Sequence, residues 1–355
     1  MSLSTGCKAL RVRPAVSEDR VAWDAFVDSR TLAAPYHSYA WGEAVESAYG
    51  KRVYRLVAEI DGHVEGVLCA VHMRLPLRPG RLVSLPYCDI GDALATSEEA
   101  ASVLREEAVR VAATEGARGV ELRGIRGEPG GLATEADIPR KVRMVLSLPP
   151  SAEALWGGFK SKLRSQIGKA EKNGLLFRWA GRQELDAFYE VFSRNMRDLG
   201  SPVHSLRWFR DLLEGYGPRG RTGLVWHEGR PVGGGIVLCT KTVVSIPWAS
   251  TLREANTLAP NMLLYWKLLE YAAEHGFTRF DFGRSTPGEG TYRFKAQWGA
   301  EPEALAWTLR TTSGVCHVAD GMPTPNRRRA AAAWARLPVP LANLIGPFVR
   351  KRISL

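Results

Sequence analysis

The chain has 355 residues, enough for two domains of ordinary size. Its 45% apolar and 24% charged residues describe a globular protein, and no apolar run is long enough to span a membrane. The net charge of +11 is uneven, because residues 321 to 355 carry Arg327, Arg328, Arg329, Arg336, Arg350, Lys351 and Arg352 and no acid. A polyanion-binding argument is therefore local to that tail and to one basic helix.

The five cysteines (Cys7, Cys69, Cys88, Cys239, Cys316) are odd in number and scattered, so neither a disulfide framework nor a zinc knuckle is expected. The histidines lack metal-binding spacing, and no metal is expected. The N-terminus lacks the apolar core of a secretory signal, which leaves a cytoplasmic location as the expectation.

In chain order, Lys8 to Val12 reads as a strand and Ser17 to Arg30 as a helix capped by Ser17. Pro35 to Tyr49 holds a loop and a second helix. Tyr54 to Ile60 and His63 to Val71 form a hairpin through Asp61-Gly62. Val83 to Tyr87 reads as a strand, Glu98 to Glu115 as a helix stopped by Gly116, and Gly119 to Arg123 as a strand before an acidic loop. Strands alternating with helices predict an α/β or α+β sheet domain.

The second half repeats this pattern. At an offset of 167, Pro35, His37, Ser38, Trp41, Tyr49, Gly50, Gly62 and Gly66 meet Pro202, His204, Ser205, Trp208, Tyr216, Gly217, Gly229 and Gly233. Two copies of one fold in tandem are expected, 1–149 and 150–312, divided near Pro149-Pro150, with a tail over 313–355.

The second copy opens with Trp156 to Asn173, read as one basic helix. Phe159, Leu163, Ile167 and Ala170 make its apolar face, and Lys162, Lys169 and Lys172 lie on another with Arg164 beside them. That face is either solvated or a phosphate contact. Val244 to Trp248 reads as a strand ending at a bulge or edge because of Pro247. Pro260 opens a helix that runs to His275. Trp248, Asn261 and Tyr265 are candidates for a pocket wall, against the plainer reading of large aromatics as core.

Phe280 to Gly299 organises the rest. The strand Phe280-Asp281-Phe282 runs into Gly283 and a loop, Arg284 to Gly290, in which three of seven positions are Gly or Pro. Thr291-Tyr292-Arg293-Phe294-Lys295 then alternates polar and aromatic in a strand-like way. Arg284, Arg293 and Lys295 predict an anion site, for a phosphate or a developing oxyanion; the alternative is a surface hairpin with solvated charges. Asp281 is a candidate general base or a holder of loop amides. In the tail, Trp334, Leu341, Leu344, Ile345, Phe348 and Val349 beside Arg350-Lys351-Arg352 suit an anionic membrane surface; the competing reading is a tail packed back on the domain.

The segments FDFGRS…GTYRFKAQWGAEP, KLRSQIGKAEKNG, SPVHS, VSIPWAS and LAPNMLLYW together resemble the FemAB family, more narrowly its exosortase/PEP-CTERM-associated branch. The similarity covers about residues 10 to 310. It implies tandem GNAT-like (acyl-CoA N-acyltransferase-like) domains, each a mixed sheet flanked by helices. It also implies transfer of an amino acid from aminoacyl-tRNA to an amine on a peptidoglycan precursor. On this resemblance Lys295 stabilises charge at the reacting carbonyl, Lys162 and Arg164 contact acceptor phosphates, and Asp281, Phe282 and Gly283 form the family's strand end. Arg284, Arg293 and Tyr292 are their substrate-binding neighbours.

Family members with a tRNA-binding coiled-coil arm carry a helical hairpin that this chain lacks. Acyl-CoA therefore stands as a second donor, although the nearest match to a pyrophosphate loop, Arg284-x-x-x-Gly288-x-Gly290, is one residue too long. No tightly held cofactor is expected. The partners expected are a phosphate-bearing peptidoglycan- or exopolysaccharide-related precursor and, through residues 327–355, the inner face of the cytoplasmic membrane. The remaining alternative is a non-catalytic glycan-binding module.

Overall fold

Two copies of one α/β unit share a single continuous sheet. The computed structural model describes residues 9–31, 33–75, 78–125, 141–317 and 325–354. Lys8, Cys7 and the acidic loop from residue 126 lie outside them.

The first copy comprises β1 (Arg11–Pro14), α1 (Arg20–Ser29), α2 (Tyr39–Tyr49), β2 (Val53–Ile60), β3 (His63–Leu75), β4 (Arg78–Ser84), the two-residue β5 (Leu94–Ala95), α3 (Glu98–Thr114) and β6 (Val120–Ile125). Strand β7 (Val142–Ser147) follows. Helices α4 (Ala152–Gly158) and α5 (Ser161–Lys172) then precede the second copy. That copy is β8 (Leu176–Trp179), α6 (Leu185–Asp198), α7 (Leu206–Tyr216), β9 (Gly220–His227), β10 (Arg230–Cys239), β11 (Val243–Thr251), α8 (Pro260–Glu274) and β12 (Arg279–Ser285). The chain ends with α9 (Gly290–Ala296), β13 (Glu301–Thr311), β14 (Gly314–His317), α10 (Pro325–Trp334) and α11 (Val339–Arg350).

The sheet order is β1-β2-β3-β4-β6-β13-β7-β12-β11-β10-β9-β8, with β5 on β3 and β14 on β13. At its centre the copies exchange strands. β7, which follows β6, pairs with β12 of the second copy. β13, which follows β12, pairs with β6 of the first copy, and β7 and β13 pair with each other. The proline pair at 149–150 therefore divides the sequence but not the sheet.

The repeated residues meet at the interface. Trp41 and Trp208 touch edge to face at 5.4 Å between ring centroids. The equivalent tyrosines reach across in opposite directions: Tyr216 Oη donates to Pro35 O at 2.6 Å, while Tyr49 Oη lies 2.5 Å from His204 Nδ1. A core of buried aromatics from both copies surrounds these pairs. Aromatics at a buried contact are hard to replace singly, which is why the repeat was visible there.

Several local expectations change. Helix α1 starts at Arg20 after a 3₁₀ turn over Ser17–Asp19; Ser17 Oγ donates to Glu18 instead of capping, and the Asp19 carboxylate accepts the Val16 N–H ahead of the turn. β4 stops at Ser84, as Leu85 and Tyr87 adopt positive φ. The basic helix is broken at Phe159 and Lys160, both extended after Gly157-Gly158, yet Phe159, Leu163, Ile167 and Ala170 are all buried as expected. The segment Thr291 to Lys295 is helical, not strand-like: an alternation of five residues does not distinguish period 2 from period 3.6 when both aromatics find a core. β11 continues through Pro247, which sits in a bulge opposite Val237.

The tail packs back on the body. Arg350 Nε donates to His204 Nε2 at 3.0 Å, and Ser354 O accepts from Tyr87 N–H at 2.6 Å and Arg123 at 3.0 Å. Because Arg350 has only protons to give, His204 Nε2 is the acceptor and the proton of the neutral ring is on Nδ1. Burial and the Arg350 charge hold His204 well below the usual imidazole range. The unfolded chain therefore binds the extra proton more readily, and stability falls as pH drops below about 6.5. His204→Gln keeps an acceptor without the titration. Urea unfolding of the two proteins from pH 7 to 5 should show the wild type losing about 2 kcal/mol more in total.

Candidate active site

Strands β11 and β12 run parallel and pair only at Val243–Arg279, Val244–Phe280 and Ser245–Asp281. Beyond that point Pro247, which has no N–H to donate, and its bulge turn β11 away. The gap outside the carboxyl ends of two parallel strands is where open sheets take ligands. Here it holds a cavity of about 330 Å³.

Its walls come from four elements. Ala249, Ser250 and Thr251 lie on β11 past the bulge; Asn195 on α6 donates to Ser250 Oγ at 2.9 Å. Asn261 and Tyr265 come from the first turns of α8, and Thr291, Phe294 and Lys295 from α9. The Tyr265 ring stacks on Phe282 at 5.6 Å and meets Phe294 edge-on at 5.0 Å. Burial pushes the Tyr265 phenol up, so it stays protonated at neutral pH. Among the described residues, no carboxylate lines the cavity.

Lys295 is 8% exposed. Its ammonium donates to Gly283 O at 3.0 Å and Arg284 O at 2.8 Å, leaving one N–H for the cavity. Burial lowers its pKa to about 8; Asp89 and Asp281 pull it back up and Arg284 pushes it down.

Asp89, on the loop after β4 of the first copy, is a residue that sequence reasoning missed. Its Oδ2 accepts the Arg284 N–H at 3.1 Å, and Oδ1 lies 3.4 Å from Arg284 Nε. The Arg284 N–H and the Gly283 carbonyl belong to one peptide group. Asp89 thus grips the same peptide whose oxygen solvates Lys295. Gly283 at φ +73 allows the turn that presents both carbonyls.

Asp281 faces elsewhere. Its Oδ1 accepts the Gly283 N–H at 2.7 Å, and Oδ2 lies 3.2 Å from Ser245 Oγ and 3.1 Å from Arg143 Nε, all buried. This geometry supports its role as a holder of the loop; it does not line the cavity.

Of the residues singled out from sequence, the structure brings Asn261, Tyr265 and Lys295 together. The others lie apart from the cavity. Trp248 stacks on Trp41 at 6.0 Å in the core between the copies, and Tyr292 packs on the second core. The Arg284 guanidinium lies against Trp307 and Asp89. Arg293 and Lys162 are exposed. Arg164 donates to the last carbonyls of α4, Trp156 O and Gly157 O. Asn195, Ser250, Thr251 and Thr291 were not singled out. Ser250 and Thr251 were legible in principle, since they follow the proline bulge on the same strand; Asn195 carries no local signal.

Residues 157–296 match the family model described as the acetyltransferase (GNAT) domain. Among solved structures, FemX is similar at 16% identity and a TM-score of 0.64, over 83% of this chain and 95% of that one. A tandem GNAT protein from the clavulanic acid biosynthesis pathway matches at 14% identity and a TM-score of 0.53, over 88% and 100%. The C-terminal domain of a putative lysylphosphatidylglycerol synthetase from Agrobacterium fabrum matches at 13% and 0.53, over 81% and 90%. No curated protein matches by sequence. The protein is a GNAT-fold chain of two copies in tandem, in the FemAB-like arrangement. The class that the matched domain names is acyl transfer.

The Asp89 contact has a measurable consequence. Asp89→Asn removes the largest influence holding the Lys295 pKa up. Competitive labelling with acetic anhydride across pH should place Lys295 near 8 in the wild type and lower in the variant; an unchanged value removes Asp89 from the site.

Proposed function

We propose that the protein transfers an aminoacyl or acyl group to an amine of a cell-envelope precursor, peptidoglycan- or exopolysaccharide-related. The observation that carries this is the Lys295 ammonium at the wall of the β11–β12 cavity, preorganised by two carbonyls with one proton aimed at the space.

The amine lone pair attacks the ester or thioester carbonyl, and the C=O electron pair moves onto oxygen. Lys295 stabilises that charge, and one such preorganised donor is worth about 10²–10³ in rate. Collapse of the intermediate breaks the C–O or C–S bond, and the protonated Tyr265 gives its proton to the leaving group. The amine's proton passes to solvent or to a basic group of the substrate, because the cavity wall offers no carboxylate. Asn195, Ser250 and Thr291 supply polar groups for orientation. Arg293, exposed on the same helix as Lys295, and Lys162 are available to an acceptor phosphate.

Aminoacyl-tRNA is favoured over acyl-CoA as donor by the approach to α8. A pyrophosphate cradle needs free amides at a helix start. Here Pro260 has none, Ala259 N–H is bonded to Asn256 O and Met262 N–H to Ala259 O, and residues 252–262 contain no glycine. The Arg284–Gly290 loop leads into the seven-residue α9 instead.

Lys295→Met keeps the apolar stem and removes the charge. Transfer followed by mass spectrometry, with aminoacyl-tRNA and acyl-CoA panels, should fall at least about 100-fold with the thermal midpoint preserved. In the wild type kcat/KM should decline above pH 8 as the ammonium is lost; a rate that climbs through pH 8 would make Lys295 a base instead. Binding of both substrates without turnover under any condition would leave a binding module.

A further inference from the structure

Helix α11 is held on one side and bare on the other. Gly346 lies so close to Val203 that an added Cβ would fall 2.9 Å from its side chain. Asn343 Nδ2 donates to Ser193 Oγ at 3.2 Å, and Arg350 at the helix end reaches His204. The chain beyond is tied down through Ser354 O to Tyr87 and Arg123. The helix is therefore a fixed part of the fold.

Its outward side carries Leu341, Leu344 and Phe348 at spacings of three and four residues, 42%, 66% and 60% exposed. Val349 is exposed beside them. Large apolar side chains gathered on one helix face in water mark an interaction surface.

The charge carried by α10, α11 and the residues that flank them has one sign, and the exposed Asp186 and Glu190 of α6 lie on the side of Val339 and Asn343. Arg327, Arg328 and Arg329 on α10, Arg336 between the helices and Arg352 after α11 are exposed. The Lys351 ammonium lies 5.2 Å over the Phe348 ring. No acid occurs from residue 321 to the last residue. A second copy docked two-fold through this face would set arginines against arginines. An acidic surface with an apolar interior meets both features. Twelve residues of helix span about 18 Å, too short to cross a bilayer but suited to lying in its interface.

We propose that α11, with α10 beside it, docks the folded protein on an anionic bilayer surface. Leu341, Leu344 and Phe348 enter the acyl boundary, and the arginines lie among the lipid phosphates. Arg350 takes no part, since its guanidinium is turned inward to His204, Tyr49 and Tyr87. The inference stands apart from the transfer chemistry and holds for any donor.

Deleting the tail would uncover the core at His204, so the test uses substitutions on the outer face of the full chain. Vesicle flotation compares phosphatidylcholine with phosphatidylcholine/phosphatidylglycerol vesicles, at low and high salt. The wild type should partition onto the anionic vesicles and not the neutral ones. L344S/F348S should lose at least tenfold in partition coefficient, and R336Q/R352Q about fivefold per charge removed, with unchanged thermal midpoints. Equal partition of wild type and L344S/F348S, or equal partition onto neutral vesicles, overturns the proposal. A concentration-dependent dimer in sedimentation, abolished by L344S/F348S, overturns it in favour of a second copy on this face.

Discussion

An ammonium withdrawn from water must be given oxygen atoms, and the site is built around meeting that demand for Lys295. The two carbonyls that accept from it sit at a strand end where the backbone turns through Gly283. Those carbonyls would be free to rotate if nothing held their peptides. Asp89, from the other copy of the fold, pins the peptide of the first carbonyl through the Arg284 N–H, and Asp281 pins the peptide before it through the Gly283 N–H. The charge is thus partly compensated rather than neutralised. Its pKa of about 8 leaves it a cation near neutrality, yet one less firmly held than an exposed lysine.

Asp89 can reach the second copy only because the sheet is continuous. Exchange of β7 and β13 places β6 and β12 two strands apart and brings the loop after β4 against the end of β12. The equivalent gap in the first copy is built differently. In the first copy, β4 and β6 pair in parallel only at Leu82–Val120 and Val83–Glu121, as β11 and β12 do at their start. That gap is filled. Leu85 to Ile90 turn into it, and Arg123, at the position equivalent to Gly283, donates to Cys88 O and to Ser354 O of the tail. One copy became a filled support that presents Asp89; the other kept its opening.

What could be read from sequence follows the same physics. The repeat was legible because Trp41 and Trp208 are buried against each other, and Tyr49 and Tyr216 each against the other copy, which restricts what can replace them. Lys295 was legible as one of three cations that follow the strand end at Gly283 and through the resemblance to the FemAB family; its burial was not. Trp248 lies on the same strand and the same face as the wall residue Ser250 but two residues earlier, where it joins Trp41 and Phe209; position along the strand, not residue type, decides its surroundings. Arg284 and Arg293 counted as cations by composition, but one is engaged by Asp89 and Trp307 and the other faces water. Asp89 lies 195 residues from its partner and in a loop without periodicity, so no local pattern points to it.

The wall composition constrains the chemistry further. A cavity lined by amides, hydroxyls, aromatics and a single cation can stabilise negative charge but has little to attract a proton. An amine entering as an ammonium would meet Lys295 as a like charge, at a cost that grows as the local dielectric falls. It must therefore arrive neutral or lose its proton to its own molecule. An acceptor whose amine lies beside a carboxylate or phosphate brings both the base and the counter-charge with it. On the proposed reading, the substrate completes a site whose described walls offer no base.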